Sequence, residues 1–169
     1  MQPRAFAGIL AGILFLGMGA PAHAQDDVMV NVKRLSMEMA LKASRATIDA
    51  CREQGIQIAV TVVDRSGLPQ IMLRDVLAPE LTLRASEAKA YTALQFNAAT
   101  SALTDRFEGP HSVGKLDKIV LSAGGLPISA AGNILGGIGV SGAPSGETDE
   151  ECAQAGLDAI ITDLEMAGF

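Results

Sequence analysis

Two tight turns constrain this 169-residue chain more than any other feature. Asp64-Arg65-Ser66-Gly67 separates the β-branched run Ile56 to Val63 from a second run, Leu68 to Arg74. Gly132-Asn133 separates Pro127–Ala131 from Ile134–Ser141. Short turns of this chemistry join neighbouring strands antiparallel, whereas parallel strands need a long crossover. A third run, Lys118–Ser122, precedes Ala123-Gly124-Gly125 and reads as a further strand. The chain is therefore expected to build a five-stranded, mainly antiparallel sheet and not a doubly wound one.

Helical periodicity fills the rest. Leu35, Met39, Ala43, Ala46 and Ala50 recur at three- and four-residue steps within Val32–Gln54, and Gly55 follows as the stop. Pro79 sits at the start of a second helix over Glu80–Ala99, and Ser101–Phe107 reads as a short third one. Thr148-Asp149-Glu150-Glu151 reads as a capping box with Thr148 at the N-cap, opening a last helix that runs to about Met166. The order is α-β-β-α-(α)-β-β-β-α. Helices must cover at least one sheet face, which makes this an α/β (α+β) sandwich.

The first 24 residues carry an address. One charge at Arg4 precedes an apolar run from Ala5 to Ala20, and Ala22-His23-Ala24 supplies a small-x-small cleavage site. The run is shorter than the roughly 20 residues that span a bilayer. Residues 1–24 are expected to be a signal peptide cleaved after Ala24, leaving residues 25–169 as one domain in the periplasm or secreted, with no membrane insertion after cleavage. Removal of Arg4 leaves 12 Lys+Arg against 19 Asp+Glu, a net charge of −7. That balance excludes a nucleic-acid partner, which requires a basic face. Cys51 and Cys152 stand 101 positions apart without C-x-x-C or C-x-x-C-H spacing, which leaves zinc ribbons and covalent c-type haem unsupported. They form a disulfide if their helices are neighbours, and otherwise pack as two buried thiols.

Gly137-Ile138-Gly139-Val140-Ser141-Gly142 spells G-x-G-x-x-G, but no parallel strand follows and four acids stand just beyond, so NAD is not expected. The glycines read instead as positions where a strand packs closely or faces a ligand. His111, in the loop Glu108-Gly109-Pro110-His111-Ser112, is a surface histidine or a haem axial ligand. Lys89, Tyr91 and Thr92 cluster on one helix as a packed surface or a ligand face. Arg74 and Arg84 are solvated cations or partners for ligand carboxylates.

Four segments carry a resemblance. Val62-Val63-Asp64-Arg65-Ser66-Gly67, Lys89-Ala90-Tyr91-Thr92-Ala93, Gly124-Gly125-Leu126-Pro127-Ile128 and the stretch from Gly137 to Glu150 are similar to the haem-binding GlcG/HbpS family, which includes the C-terminal domain of PduO-type proteins. The resemblance covers roughly residues 33–165. It implies a profilin-like fold, assembly into homo-oligomers and, for some members, haem binding or iron handling. Thr92 and Thr100 fall in matching segments as candidate oxygen ligands, and His111 falls in a variable loop. The leading expectation is an exported haem- or tetrapyrrole-binding protein, with Arg or Lys side chains meeting the propionates. The alternatives are a binder of, or enzyme for, a small organic acid, held by Arg74, Lys89 and the Gly124-Gly125 backbone, and an accessory protein of an exported complex.

Overall fold

The computed structural model describes residues 28–107, 109 and 112–167. The expected signal peptide and His111 lie outside the described residues. Seven regular elements follow in order: α1 (Met37–Glu53), β1 (Ala59–Asp64), β2 (Pro69–Arg74), α2 (Leu81–Phe96), β3 (Gly125–Ala130), β4 (Asn133–Ser141) and α3 (Gly146–Met166). Short 3₁₀ turns occupy Thr100–Leu103 and Val113–Lys115.

The two hairpins meet through their inner strands. The sheet order is β2-β1-β4-β3 and every pairing is antiparallel. β1 is central and buried along its whole length, as its unbroken Ala-Val-Thr-Val-Val run requires. Val60, Val62, Ile138 and Val140 face one way and pack with Ala43 and Ile48 of α1 and Ala153 and Ile160 of α3. Val63 faces the other way, against Ala90 and Leu94 of α2. Helices thus cover both faces.

Four expectations need correction. The sheet has four strands among the described residues, not five. Lys118–Ser122 stays out because its backbone is engaged elsewhere: the Val120 N–H donates to Thr92 Oγ1 at 3.0 Å, and Lys118 lies in the left-handed region at φ 69°. The second hairpin turns at Ala131-Gly132, not at Gly132-Asn133. Ala130 pairs with Asn133, and both central residues have positive φ, the signature of a two-residue type I′ loop. α3 is capped by Ser145, whose hydroxyl accepts from the Thr148 N–H, so Thr148 lies inside the first turn. α1 begins at Met37 because the Ser36 hydroxyl accepts from the Met39 N–H. Its far end closes as read from Gly55: Gly55 N–H donates to Arg52 and Ile56 N–H to Cys51, a Schellman pair with Gly55 left-handed at φ 75°.

The glycines of β4 let α2 lie directly on the sheet. A Cβ at Gly139 would stand 2.2 Å from the Ser86 carbonyl oxygen and 2.4 Å from the Ala90 nitrogen; at Gly137 it would stand 2.3 Å from the Ala90 oxygen. The G-x-G-x-x-G spelling is therefore a packing device on this face. On the opposite face α1 and α3 touch, and Cys51 and Cys152 are joined with Cα atoms 5.6 Å apart.

Candidate functional site

α2 carries the cluster singled out in the sequence, and its side chains divide between two destinations. Lys89 and Thr92 point inward. Lys89 Nζ lies 2.8 Å from Asp149 Oδ2, both side chains nearly enclosed. Asp149 Oδ1 also accepts from the Ala143 N–H at 2.9 Å, tying the β4–α3 connection to α2. Burial pushes the Asp149 carboxyl above its ordinary value, and the Lys89 ammonium opposes that shift without cancelling it. Its neighbour Glu147 moves the other way, held low by its own backbone N–H and the Ser145 hydroxyl.

Thr100, Gly124 and Gly125 gather beside this pair. Thr100 Oγ1 accepts from the Gly125 N–H at 2.9 Å. Gly124 sits at φ 120°, and a Cβ there would come within 2.7 Å of Lys89 Nζ. Its N–H donates to Glu150, which also accepts from the Ser101 hydroxyl at 2.7 Å. The structure therefore brings together five of the residues picked from sequence: Lys89, Thr92, Thr100, Gly124 and Gly125. Their polar groups are engaged within the protein: Thr100 and Gly125 bond each other, Lys89 pairs with Asp149, Gly124 with Glu150, and Thr92 with the backbone of Lys118 and Val120. Both threonines are fully buried with their hydroxyls engaged by backbone, Thr92 by the irregular segment before β3 and Thr100 by the first residue of β3.

Arg74 and Arg84 stand apart from that knot. Arg74 donates to the carbonyls of Asp75, Val76 and Ala78 and shapes the β2–α2 connection. Arg84 pairs with Glu80 one turn away, both exposed.

Tyr91, on the outer side of α2, opens onto a cleft. Its floor is Tyr91, Gln95 and Phe96; its wall is Val113, Leu116, Asp117 and Ile119 from the irregular segment before β3; its volume is about 290 Å³. Phe96 packs against Phe107 with ring centroids 5.0 Å apart and the planes tilted by 42°. Lys118 Nζ stands 5.9 Å from the Tyr91 ring centroid, placing a cation over the aromatic wall. Thr92 fixes this wall from beneath: its hydroxyl donates to the Lys118 carbonyl at 3.4 Å and accepts from the Val120 N–H. A left-handed lysine held in this way is a local strain that the surroundings maintain. Sequence reasoning finds Tyr91 and Thr92 but not Phe96 on the same helix, nor Leu116, Lys118 and Ile119, whose segment reads as loop and strand.

Other hollows among the described residues differ in chemistry. One between β3 and α3, about 250 Å³, is lined by Leu157, Ile161 and Leu164 with Asp158. A second, about 360 Å³, carries Glu147, Glu150 and Glu151 and disfavours an anion. A third, about 470 Å³, lies between α1 and β2 with Lys42 and Arg45 but no aromatic ring. The Tyr91 cleft combines aromatic faces and aliphatic walls with one acid, Asp117, in its lining and a cation, Lys118, beside it, a set that suits a flat, largely apolar molecule. Among the described residues, no group of three His, Cys, Asp or Glu side chains is placed to hold a bare metal ion, and no helix is long and apolar enough to cross a membrane.

Comparison with known proteins gives a consistent result. A family profile described as "Haem degrading protein HbpS-like" matches residues 35–158. The fold superposes on the crystal structure of a double mutant of Streptomyces reticuli HbpS with a TM-score of 0.76 and 36% identity, covering 84% of this chain and 97% of that one. It also superposes on a PduOC:heme complex with a TM-score of 0.68 and 27% identity, covering 75% of this chain and 95% of that one. The corrinoid adenosyltransferase PduO of Salmonella typhimurium is 28% identical over 154 residues, covering 86% of this chain. The chain spans 44% of the length of that enzyme.

Proposed function

The chain belongs to the haem-degrading HbpS-like family, and from that premise we propose that it is an exported haem- or tetrapyrrole-binding protein that holds its ligand at the Tyr91 cleft. The observation that carries the reading is the likeness to a structure solved as a heme complex, which covers three quarters of the chain. The cleft supplies the chemistry. Tyr91 and Phe96 offer ring faces, Val113, Leu116 and Ile119 offer aliphatic contact, and Lys118 stands ready for a propionate. Haem would bring redox-active iron there; this chain's own residues bind the macrocycle, orient it and exclude water from one face. At about 290 Å³ the cleft takes one edge of the macrocycle.

Hemin added to the purified protein is expected to give a shifted Soret band that saturates at fixed stoichiometry. Tyr91→Ala and Phe96→Ala should each weaken binding about tenfold, on the scale of a lost aromatic contact, while Arg84→Ala leaves it unchanged. A flat titration with folded protein overturns the reading. Loss on Arg84→Ala with none at Tyr91 or Phe96 would move the site elsewhere.

Export is part of the same proposal. Two arguments support it: the basic, apolar and small-x-small order of residues 1–24, and a buried disulfide, which persists in oxidising compartments. The N-terminus of protein recovered from the periplasm should be Gln25. Homo-oligomeric assembly, which the family resemblance implies, is read by light scattering of that same material.

A further inference from the structure

We propose that the Cys51–Cys152 disulfide is a redox latch that holds α1 onto α3, and that its reduction frees these helices while α2 and the sheet stay folded. The proposal goes beyond haem binding and does not depend on it.

The argument begins with what joins the two helices. The seam where the two backbones meet is built of small residues, Ala40, Ala43, Ser44 and Thr47 on α1 with Ala153 and Gly156 on α3, while the larger Ile48 and Ile160 lie in the core cluster with the sheet. A Cβ at Gly156 would stand 2.0 Å from Thr47 Oγ1 and 2.7 Å from the Ala43 oxygen, so the backbones approach closely. Small side chains permit that approach but bury little apolar area, and apolar area is what holds helices together in water. The hydroxyls add no cross-link, because Ser44 donates to Ala40 and Thr47 to Ala43 within α1. Among the described residues the polar tie between the helices is Lys42–Asp163, and both partners are about half exposed. Such a pair contributes little. The covalent bond is the strong tie.

Placement makes that tie consequential. Among the described residues α1 is the first regular element and α3 the last, and the chain between Cys51 and Cys152 contains the four strands and α2. α2 is secured separately, by the glycine contacts of β4 and by Lys89–Asp149. Asp149 lies in the first turn of α3, so the start of α3 stays anchored when its middle is released. α1 is otherwise held to the sheet by Ile48 in the core cluster and by Arg52, which pairs with the buried Asp75. Opening would uncover Val60, Val62, Ile138 and Val140, and the protein would then present an apolar sheet face under reducing conditions and a sealed one under oxidising conditions.

The chemistry balances with a dithiol as the named reductant. One thiolate attacks a cysteine sulfur, breaks the Sγ–Sγ bond and forms a mixed disulfide. The second thiolate then displaces the protein sulfur. Two electrons and two protons pass to the protein, giving two thiols and one oxidised dithiol. Because Cys51 and Cys152 are 0% and 1% exposed, attack proceeds through a transient local opening of the α1–α3 seam, and loss of the bond then makes that opening persistent.

The test is hydrogen exchange by mass spectrometry on the full purified protein, oxidised and then reduced with a dithiol, alongside the Cys51→Ala/Cys152→Ala variant without reductant. Peptides from α1 and the C-terminal half of α3 should exchange at least about tenfold faster without the bond, while α2 and β1 stay within about twofold. Maleimide should label both thiols of the reduced protein under native conditions. Unchanged exchange in α1 overturns the proposal, because the small-residue contact then suffices alone. Equal acceleration in α1, α2 and β1 also overturns it, because the bond would then support the whole fold. If the double variant does not fold, the reduced natural protein carries the test, and loss of α2 protection there counts against the latch.

Discussion

Lys89 Nζ stands 2.8 Å from Asp149 Oδ2, and the two side chains are only 6% and 4% exposed. The pair joins the middle of α2 to the first turn of α3, and its members are not equivalent. Burial pushes the Asp149 carboxyl upward even with Lys89 beside it, so a neutral group is tolerated at that position. Removing Lys89 has the opposite result, leaving a carboxylate enclosed with no cation. Lys89→Met should cost about 3–5 kcal/mol at neutral pH, the usual scale for orphaning a buried charge. Asp149→Asn should cost far less, since its amide oxygen still accepts from Lys89 or the Ala143 N–H. Urea melts of the two variants decide this, and equal losses would contradict it.

The same asymmetry has a pH signature. A carboxyl whose folded pKa lies above its unfolded value contributes stability that is present below the unfolded value and lost as pH rises through the folded one. Asp149 is such a group. The natural protein should therefore gain stability relative to Asp149→Asn as pH falls through the window just above 3.8, the ordinary value for Asp. Glu147 acts in the opposite sense, adding stability above its unfolded value and losing it as pH falls, but it cancels in this difference. Denaturation midpoints of both proteins between neutral and acid pH supply the measurement. A difference that moves toward the variant on acidification would mean that Lys89 outweighs burial.

The hairpins, the three long helices and the antiparallel sheet were legible because each is written locally, in turn residues and three- or two-residue periodicity. The false fifth strand shows the limit. Lys118–Ser122 has strand composition, but its backbone is engaged by Thr92, more than 25 positions earlier, and nothing local reports that. Asp149 misled in a similar way. An acid in a first helical turn reads as a partner for the helix dipole, whereas its partner is Lys89, 60 positions away. At the candidate site, Tyr91 could be picked from its helix. Val113, Leu116 and Ile119 could not, because an irregular wall has no period.

Gly139 offers a test of how α2 is seated. Its missing Cβ would meet two backbone atoms of α2 at 2.2 and 2.4 Å, and neither can swing away as a side chain would. Gly139→Ala should therefore destabilise by about 3 kcal/mol or more, at the upper end for overpacking. Gly132→Ala is the matched control. It sits in a turn at φ 75° with nothing within 4 Å, so it should lose only the left-handed backbone term, about 1–2 kcal/mol. Thermal melts of both variants should preserve that ranking, and near-equal losses would mean that α2 adjusts freely.

Thr92 links the buried knot to the open cleft. Its hydroxyl donates to the Lys118 carbonyl and accepts from the Val120 N–H, and so holds a lysine in the left-handed region beside the Tyr91 ring. Thr92→Val keeps the shape and removes both bonds. It leaves the Val120 N–H without its partner, at a cost of about 1–3 kcal/mol. The loss should be local: amides of residues 113–120 exchange faster while those of α1 do not change. With Lys118 released from the aromatic wall, hemin affinity should fall along with that protection, and Thr92→Ser should restore both by returning the hydroxyl. A Thr92→Val protein with a loosened segment but unaltered hemin titration would separate the wall from the ligand and place binding in another hollow.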